Sequence, residues 1–213
     1  VFYKEKNILV IATKLAVAQN FIRKVKTYIN SMPKWLLVPV IVSNNKQQIE
    51  FSNGSQIKAV PTSEDAGRSE ALSLLIVDEA AFVRNFDELW MGLYPTLSTG
   101  GRAILLSTPN GVGGQYHEIY TKAERKENKF NPIKLMWDVH PERDDSWFGK
   151  ETKNMSKKQV AQELLCDFSS SGDTFLSNDI LEKIRILTKS PIEKSGPNNN
   201  VWYWEYPIEG INY

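Results

Sequence analysis

Asp78 and Glu79 are adjacent carboxylates placed directly after four apolar residues, in the run Leu74-Leu75-Ile76-Val77-Asp78-Glu79-Ala80-Ala81-Phe82. A buried parallel strand reads as such an unbroken apolar run, and α/β proteins put their chemistry at the carboxyl ends of those strands. An acid pair at that point suits nucleotide hydrolysis. The first carboxylate can hold a magnesium-bound water near the phosphates, and the second can polarise the attacking water. The plainer reading is that both acids open the next helix, whose dipole favours negative charge. A second strand-end motif is Leu105-Leu106-Ser107-Thr108-Pro109-Asn110-Gly111. Its hydroxyls can hydrogen-bond a γ-phosphate or the attacking water and pass the bond change to the loop behind them. Ser, Thr, Pro, Asn and Gly are also ordinary turn formers, and a turn is the plainer reading of this motif alone.

Other reactive side chains read as structural. His117 and His140 lie 23 residues apart with no ligand-spaced Cys or second His, which argues against zinc. Cys166 falls among apolar helical residues and reads as core. Lys122, Arg125, Lys126 and Lys129 are interrupted by Glu124 and Glu127, the pattern of a solvated helix face. Trp202 and Trp204 share one face of a terminal strand and are expected in a core.

The elements that must position the acids alternate along the chain. Ile8 to Ala12 reads as a buried strand, with Thr13 able to cap the following helix. That helix carries Ala18, Phe21, Ile22, Val25, Tyr28 and Ile29 at three- and four-residue spacing, and Pro33 marks its end. Val38 to Val42 reads as a strand. Ile49 and Phe51, then Ile57 and Ala59, alternate on two hairpin arms, and Asn53-Gly54 suits a type I′ turn between them. Asn85 opens a helix stopped near Pro95, and Ala103 to Leu106 is another short strand. A helix from about Gln115 to Arg125 and a strand from Ile133 to Val139 follow. Ser156 with Gln159 is a capping-box signature for a helix carrying Val160, Leu164 and Leu165. Ser169-Ser170-Ser171-Gly172 reads as a hinge, Lys194 to Asn200 as an exposed loop, and Val201 to Tyr206 as a strand. The alternation is that of an α/β domain built on a parallel sheet.

Composition narrows the function classes. Among 213 residues, 24% are charged and the formal net charge is +1, so no global basic field exists and any DNA contact is a local patch. The one cysteine excludes an internal disulfide framework. No apolar run approaches the ~20 residues of a membrane-spanning helix. The chain opens on Val1 and ends on Tyr213 within an aromatic run, so we expect a piece of a longer protein.

From Asn7 to about Asp179 the sequence resembles the large terminase subunit of tailed bacteriophages, the ATP-driven motor that packages DNA into a procapsid. The resemblance rests on Phe51-Ser52-Asn53-Gly54-Ser55, Leu75 to Phe82, Pro95-Thr96-Leu97-Ser98-Thr99-Gly100-Gly101 and Ser107 to Gly111. Gln162-Glu163 and Phe168 with Ser171-Gly172-Asp173-Thr174-Phe175 extend it. It implies an α/β fold of RecA-like, mostly parallel type, incomplete at its N-terminus. A partial ATPase domain would span 1–168, a hinge 169–200, and the first strand of a ribonuclease H-like nuclease domain 201–213. It implies that Asp78 is the acid that holds Mg2+ through water and Glu79 the catalytic carboxylate. Ser107, Thr108 and Asn110 would form the coupling motif, and Arg68 is a possible ATP-site or DNA-loop residue. The implied cofactors are ATP and Mg2+. The implied partners are double-stranded viral DNA, the portal protein, the small terminase subunit and further copies in a ring on the procapsid, with no membrane. The implied location is the host cytoplasm during infection, outside the mature virion.

Two departures restrict these expectations. No Gly-x-x-x-x-Gly-Lys-Ser/Thr loop, nor a relaxed form of it, occurs before Ile8, and by the family's order it would lie upstream of Val1. No cluster of nuclease carboxylates follows either; Asp173 and Asp179 belong to the hinge. We therefore expect the chain as it stands neither to hydrolyse ATP nor to cut DNA. Without a central strand its sheet would keep an open edge and an apolar face, giving marginal stability. A helicase or remodelling ATPase fragment, and a degenerate nucleotide-fold module that only binds a partner, are the other readings.

Overall fold

The computed structural model describes residues 3–33, 35–36, 39–62, 71–98, 100–171, 178–204 and 206. The chain divides into two compact units, residues 1–172 and 173–213. The first is built on a six-stranded sheet whose strands run β1 Asn7–Ala12, β2 Ile41–Asn44, β3 Gln48–Phe51, β4 Gln56–Pro61, β5 Leu74–Val77 and β6 Arg102–Leu105. Their order in space is β2-β3-β4-β1-β5-β6. The last four of these are mutually parallel, and β2, β3 and β4 form an antiparallel meander on one flank. The fold is thus a mostly parallel α/β sheet, as the alternation of the sequence requires.

β1 is apolar throughout because it is central and covered on both faces, with Leu9 to Ala12 all buried. On one face Val10, Ala59, Ile49 and Phe51 pack under helix α1, Leu15–Ser31, through Ala18 and Ile22. On the other, Leu9, Ile11, Leu75 and Val77 pack under helix α2, Phe86–Leu93, through Phe86, Leu89, Trp90 and Leu93. Helix α3, Gly114–Glu124, adds Ile119 to that second cluster. Short helices α4 Asp145–Glu151, α5 Lys157–Gln159 and α6 Phe168–Ser171 complete the unit. α5 begins on the expected capping box of Ser156 and Gln159, then widens into a π-helical turn over Val160–Leu164.

The hairpin Phe51-Ser52-Asn53-Gly54-Ser55 grips the chain entering β1. Ser55 is buried; its hydroxyl donates to the Tyr3 carbonyl at 2.6 Å and accepts from the Lys6 N–H at 3.2 Å. Asn53 Nδ2 donates to the same Tyr3 carbonyl, and Glu5 N–H to the Asn53 carbonyl. The turn is not type I′, which needs positive φ at both central residues. Only Gly54 has it, at +77°, and the four-residue loop closes through the Gly54 N–H on the Phe51 carbonyl.

Other local expectations change for stated reasons. Lys14, not Thr13, precedes α1, with no side-chain cap. Of the strand expected over Val38 to Val42, Val38 lies outside the described residues, and β2 begins at Ile41, where pairing with Phe51 begins. Ile133 to Val139 is no strand: it has no strand partner among the described residues, Ile133 and Leu135 are exposed, and Trp137–Val139 is a 3₁₀ turn. Cys166 lies past the helix with φ +50°, half-buried, its thiol donating to the Leu135 carbonyl at 3.3 Å. The triple serine read as hinge runs into α6, and Ser171 is fully buried in the first unit.

In the second unit helix α7, Asn178–Leu187, precedes a two-stranded antiparallel ribbon of β7 Glu193–Ser195 and β8 Val201–Tyr203. β7 thus occupies part of the expected loop from Lys194 to Asn200. Trp202 and Trp204 are half exposed rather than core. Their large rings serve polar partners instead: Lys194 Nζ lies 4.5 Å over the Trp202 ring, and Trp204 Nε1 donates to the Lys189 carbonyl.

Candidate active site

The acid pair and the serine motif leave the sheet side by side, because β5 and β6 are in parallel register with Val77 opposite Leu105. Asp78 N–H donates to the Ile11 carbonyl at 2.8 Å, extending the sheet by one residue. Ala80 N–H donates to the Leu106 carbonyl at 2.9 Å, and Ala81 N–H to Ser107 Oγ at 3.1 Å. Asn110 Nδ2 donates to the Ala81 carbonyl at 3.2 Å. The two motifs are therefore stitched together, residue by residue, at the carboxyl edge of the sheet.

Glu79 turns sharply at this point. Its backbone is left-handed, φ +55° and ψ 44°, a conformation that costs a non-glycine residue about 1–2 kcal/mol. Helix capping does not explain the acids: neither the 3₁₀ turn Ala80–Phe82 nor α2 takes a side-chain cap, and Asn85 stands at the start of α2. Burial pushes the Glu79 carboxyl above its usual range, and the negative charges of Asp78 and Glu163 push it further. A hydrogen bond from Ser107 acts against that shift. The Ser107 hydroxyl accepts from Ala81 N–H and so stands beside the Glu79 turn. Thr108 is half-buried, and its hydroxyl has no hydrogen-bond partner among the described residues.

Three contributors escaped sequence reading. Glu163, named there only as part of a motif, charges the surroundings of Glu79 from the π-helical turn. Tyr116 on α3 is pushed up to about 12, by burial first, with Tyr120, Cys166 and Glu79 adding to it. Ser171 holds the far end of the serine motif: its buried hydroxyl accepts from Gly111 N–H at 2.9 Å and donates to the Phe168 carbonyl at 3.1 Å. Phe168 is in turn packed by Tyr116, His117 and Tyr120. A serine run looks like a linker in sequence, and only burial reveals the bond.

The remaining candidates separate from the site. Arg68 lies outside the described residues. His117 and His140 each use Nδ1 to accept a local N–H, from Gly113 and Glu142. No group of three or more His, Cys, Asp or Glu able to hold a metal occurs among the described residues. Magnesium keeps most of its waters and needs only one or two carboxylates beside substrate phosphates. Asp78, half-buried at a strand end, fits that donor role.

Residues 1–183 match the model of the family described as terminase large subunit, T4likevirus-type, N-terminal. The chain belongs to the terminase large subunit family. Terminase structures share its fold at low identity. The Thermus phage P74-26 large terminase ATPase domain is 20% identical, with TM-score 0.60 over 78% of this chain and 77% of that one. A large terminase from a thermophilic bacteriophage, in complex with ADP, is 12% identical, with TM-score 0.59 over 79% of this chain and 42% of that one. The HK97 bacteriophage large terminase is 15% identical, with TM-score 0.52 over 89% and 44%. The chain thus spans about two-fifths of the latter two terminases, and its mostly parallel sheet has their RecA-like fold. Terminase membership also decides against the helicase reading.

Proposed function

We propose that this chain supplies the hydrolytic half of the ATP site in a phage DNA-packaging motor. The observation that carries the reading is Glu79: a half-buried carboxylate on a left-handed turn, beside the Ser107 motif that Ala80 and Ala81 stitch to it from the neighbouring strand end. Asp78 would hold Mg2+ through a bound water, and the metal with ATP supplies the phosphoryl group and its charge neutralisation. Glu79 orients and deprotonates the attacking water; its raised proton affinity suits a group that must take up a proton. The neighbouring Ser107 hydroxyl favours the charged form of Glu79. Ser107, Thr108 and Asn110 form the coupling motif: Thr108 keeps a hydroxyl without a partner among the described residues, while Asn110 and Gly111 relay the arrangement to Ser171.

In the longer protein this cycle moves double-stranded DNA into the procapsid, and a following nuclease domain cuts the genome. The first unit, residues 1–172, then constitutes ATPase domain, and the unit 173–213 leads on to the nuclease domain. The motor works as a ring with the portal protein and the small terminase subunit, in the host cytoplasm and outside the mature virion. The 213 residues contain no phosphate-loop sequence, so this chain by itself is expected to turn over no ATP. Replacing Glu79 by Gln in the longest product of the native reading frame lowers turnover by about 10²- to 10⁴-fold. Phosphate release checks both statements.

A further inference from the structure

The longest stretch without an acidic residue runs from Lys6 to Ile49. It holds seven of the 26 Lys and Arg residues and none of the 25 Asp and Glu. In a chain of net charge +1 this makes one region strongly basic and leaves the rest acidic.

The fold gathers part of this charge on one surface. α1 carries Arg23, Lys24 and Lys26 and no acid. Its apolar side, Ala18 and Ile22, is buried on the sheet, so Asn20, Arg23, Lys24, Thr27 and Tyr28 form its exposed face at i, i+3, i+4, i+7 and i+8. Lys26 Nζ donates to the Asn45 carbonyl at 2.6 Å, which ties the β2–β3 turn and its Lys46 to the helix. The flanking acids lie elsewhere. Ile49 and Phe51 point into the core beneath α1, so Glu50 between them points to the opposite side of the sheet. Glu5 lies against Gly54 in the hairpin turn. Among the described residues no carboxylate pairs with Arg23, Lys24 or Lys46. The basic run on α3 differs: Lys122 is paired with Glu118 at 2.5 Å, and Glu124 and Glu127 divide the rest.

We infer that the exposed face of α1, with the β2–β3 turn, binds the phosphate backbone of double-stranded DNA. The inference rests on the packaging reading and adds a surface to it. Arg23, Lys24 and Lys46 supply the charge, and Asn20, Thr27 and Tyr28 supply neutral donors of the kind that position a protein on phosphates without reading sequence. An anionic membrane is a poorer partner, because an interfacial helix must insert its apolar side and α1 has buried its own in the core.

The test is fluorescence anisotropy of a short labelled duplex of arbitrary sequence, titrated with the 213-residue chain across a salt series. A triple variant, Arg23→Glu, Lys24→Glu and Lys46→Glu, is compared with a charge-matched control, Lys122→Glu, Lys126→Glu and Lys129→Glu. Wild-type affinity falls steeply with salt. The α1 variant binds at least ~10-fold more weakly near 100 mM salt, with a log–log salt slope flatter by about 3. The control stays within about threefold of wild type. Where reversal lowers the thermal midpoint, the corresponding Gln variants give the same ranking. Unchanged affinity and slope in the α1 variant would overturn the surface and leave the packaging reading standing. Equal loss in both variants would reduce the effect to net charge and also overturn it. A wild-type chain with no salt-dependent binding would overturn the surface, and would remove DNA contact by this unit from the packaging reading as well.

Discussion

Glu79 bears two costs that a packing residue would not, a left-handed backbone and a half-buried charge beside Asp78 and near Glu163. Its proton affinity is raised in the folded state, so folding disfavours the charged form. The penalty is complete above the folded pKa and absent below the ordinary value of 4.5. Glu79→Gln should therefore raise the melting temperature at pH 8 above that of the wild type. The gain should shrink as pH falls towards 4.5, which thermal melts across a pH series will show. Ser171→Ala should act oppositely and without pH dependence. It strands the buried Gly111 N–H and should cost about 1–3 kcal/mol in urea unfolding. At this scale the acid pair was legible in sequence, because a strand end and two carboxylates are local signals. The Ser171 bond was not, because its partner lies 60 positions away.

Elements form where the sequence offers both periodicity and a neighbour. β1 and β5 were readable because buried parallel strands are continuous apolar runs, and α1 because its apolar stripe has one face to cover. The segment from Ile133 to Val139 has strand-like residues, yet pairing needs a second backbone and none adjoins it among the described residues. The Asn53-Gly54 turn was located correctly and typed wrongly, since four loop residues allow a turn in which only Gly54 takes positive φ. The Pro95-to-Gly101 motif has a steric reason that sequence alone could not supply. A Cβ on Gly101 would overlap the Leu72 carbonyl oxygen and crowd Leu97, just before Arg102 enters β6 opposite Leu74. Gly101→Ala should therefore destabilise by about 1–3 kcal/mol, the range for overpacking. Urea melts should show a lower midpoint at unchanged slope.

For the molecule as a whole, β6 is the exposed consequence of the sheet order. It pairs only with β5 among the described residues, and Ile104 on it and Leu106 just past it are each about 45% exposed. An apolar edge of that kind promotes association between chains. The isolated chain should form concentration-dependent aggregates in light scattering, and Ile104→Lys should reduce them; a sharply melting monomer at high concentration would argue against an open edge. The same sheet order places Asp78, Glu79 and Ser107 together, and the proposed motor chemistry depends on that cluster. The most direct measurement is steady-state phosphate release by the longest product of the native reading frame, with and without Glu79→Gln. The predicted result is a fall of about 10²- to 10⁴-fold, the contribution of a positioned general base, with nucleotide binding retained. Turnover within a few-fold of wild type in the Gln variant would contradict the role assigned to Glu79.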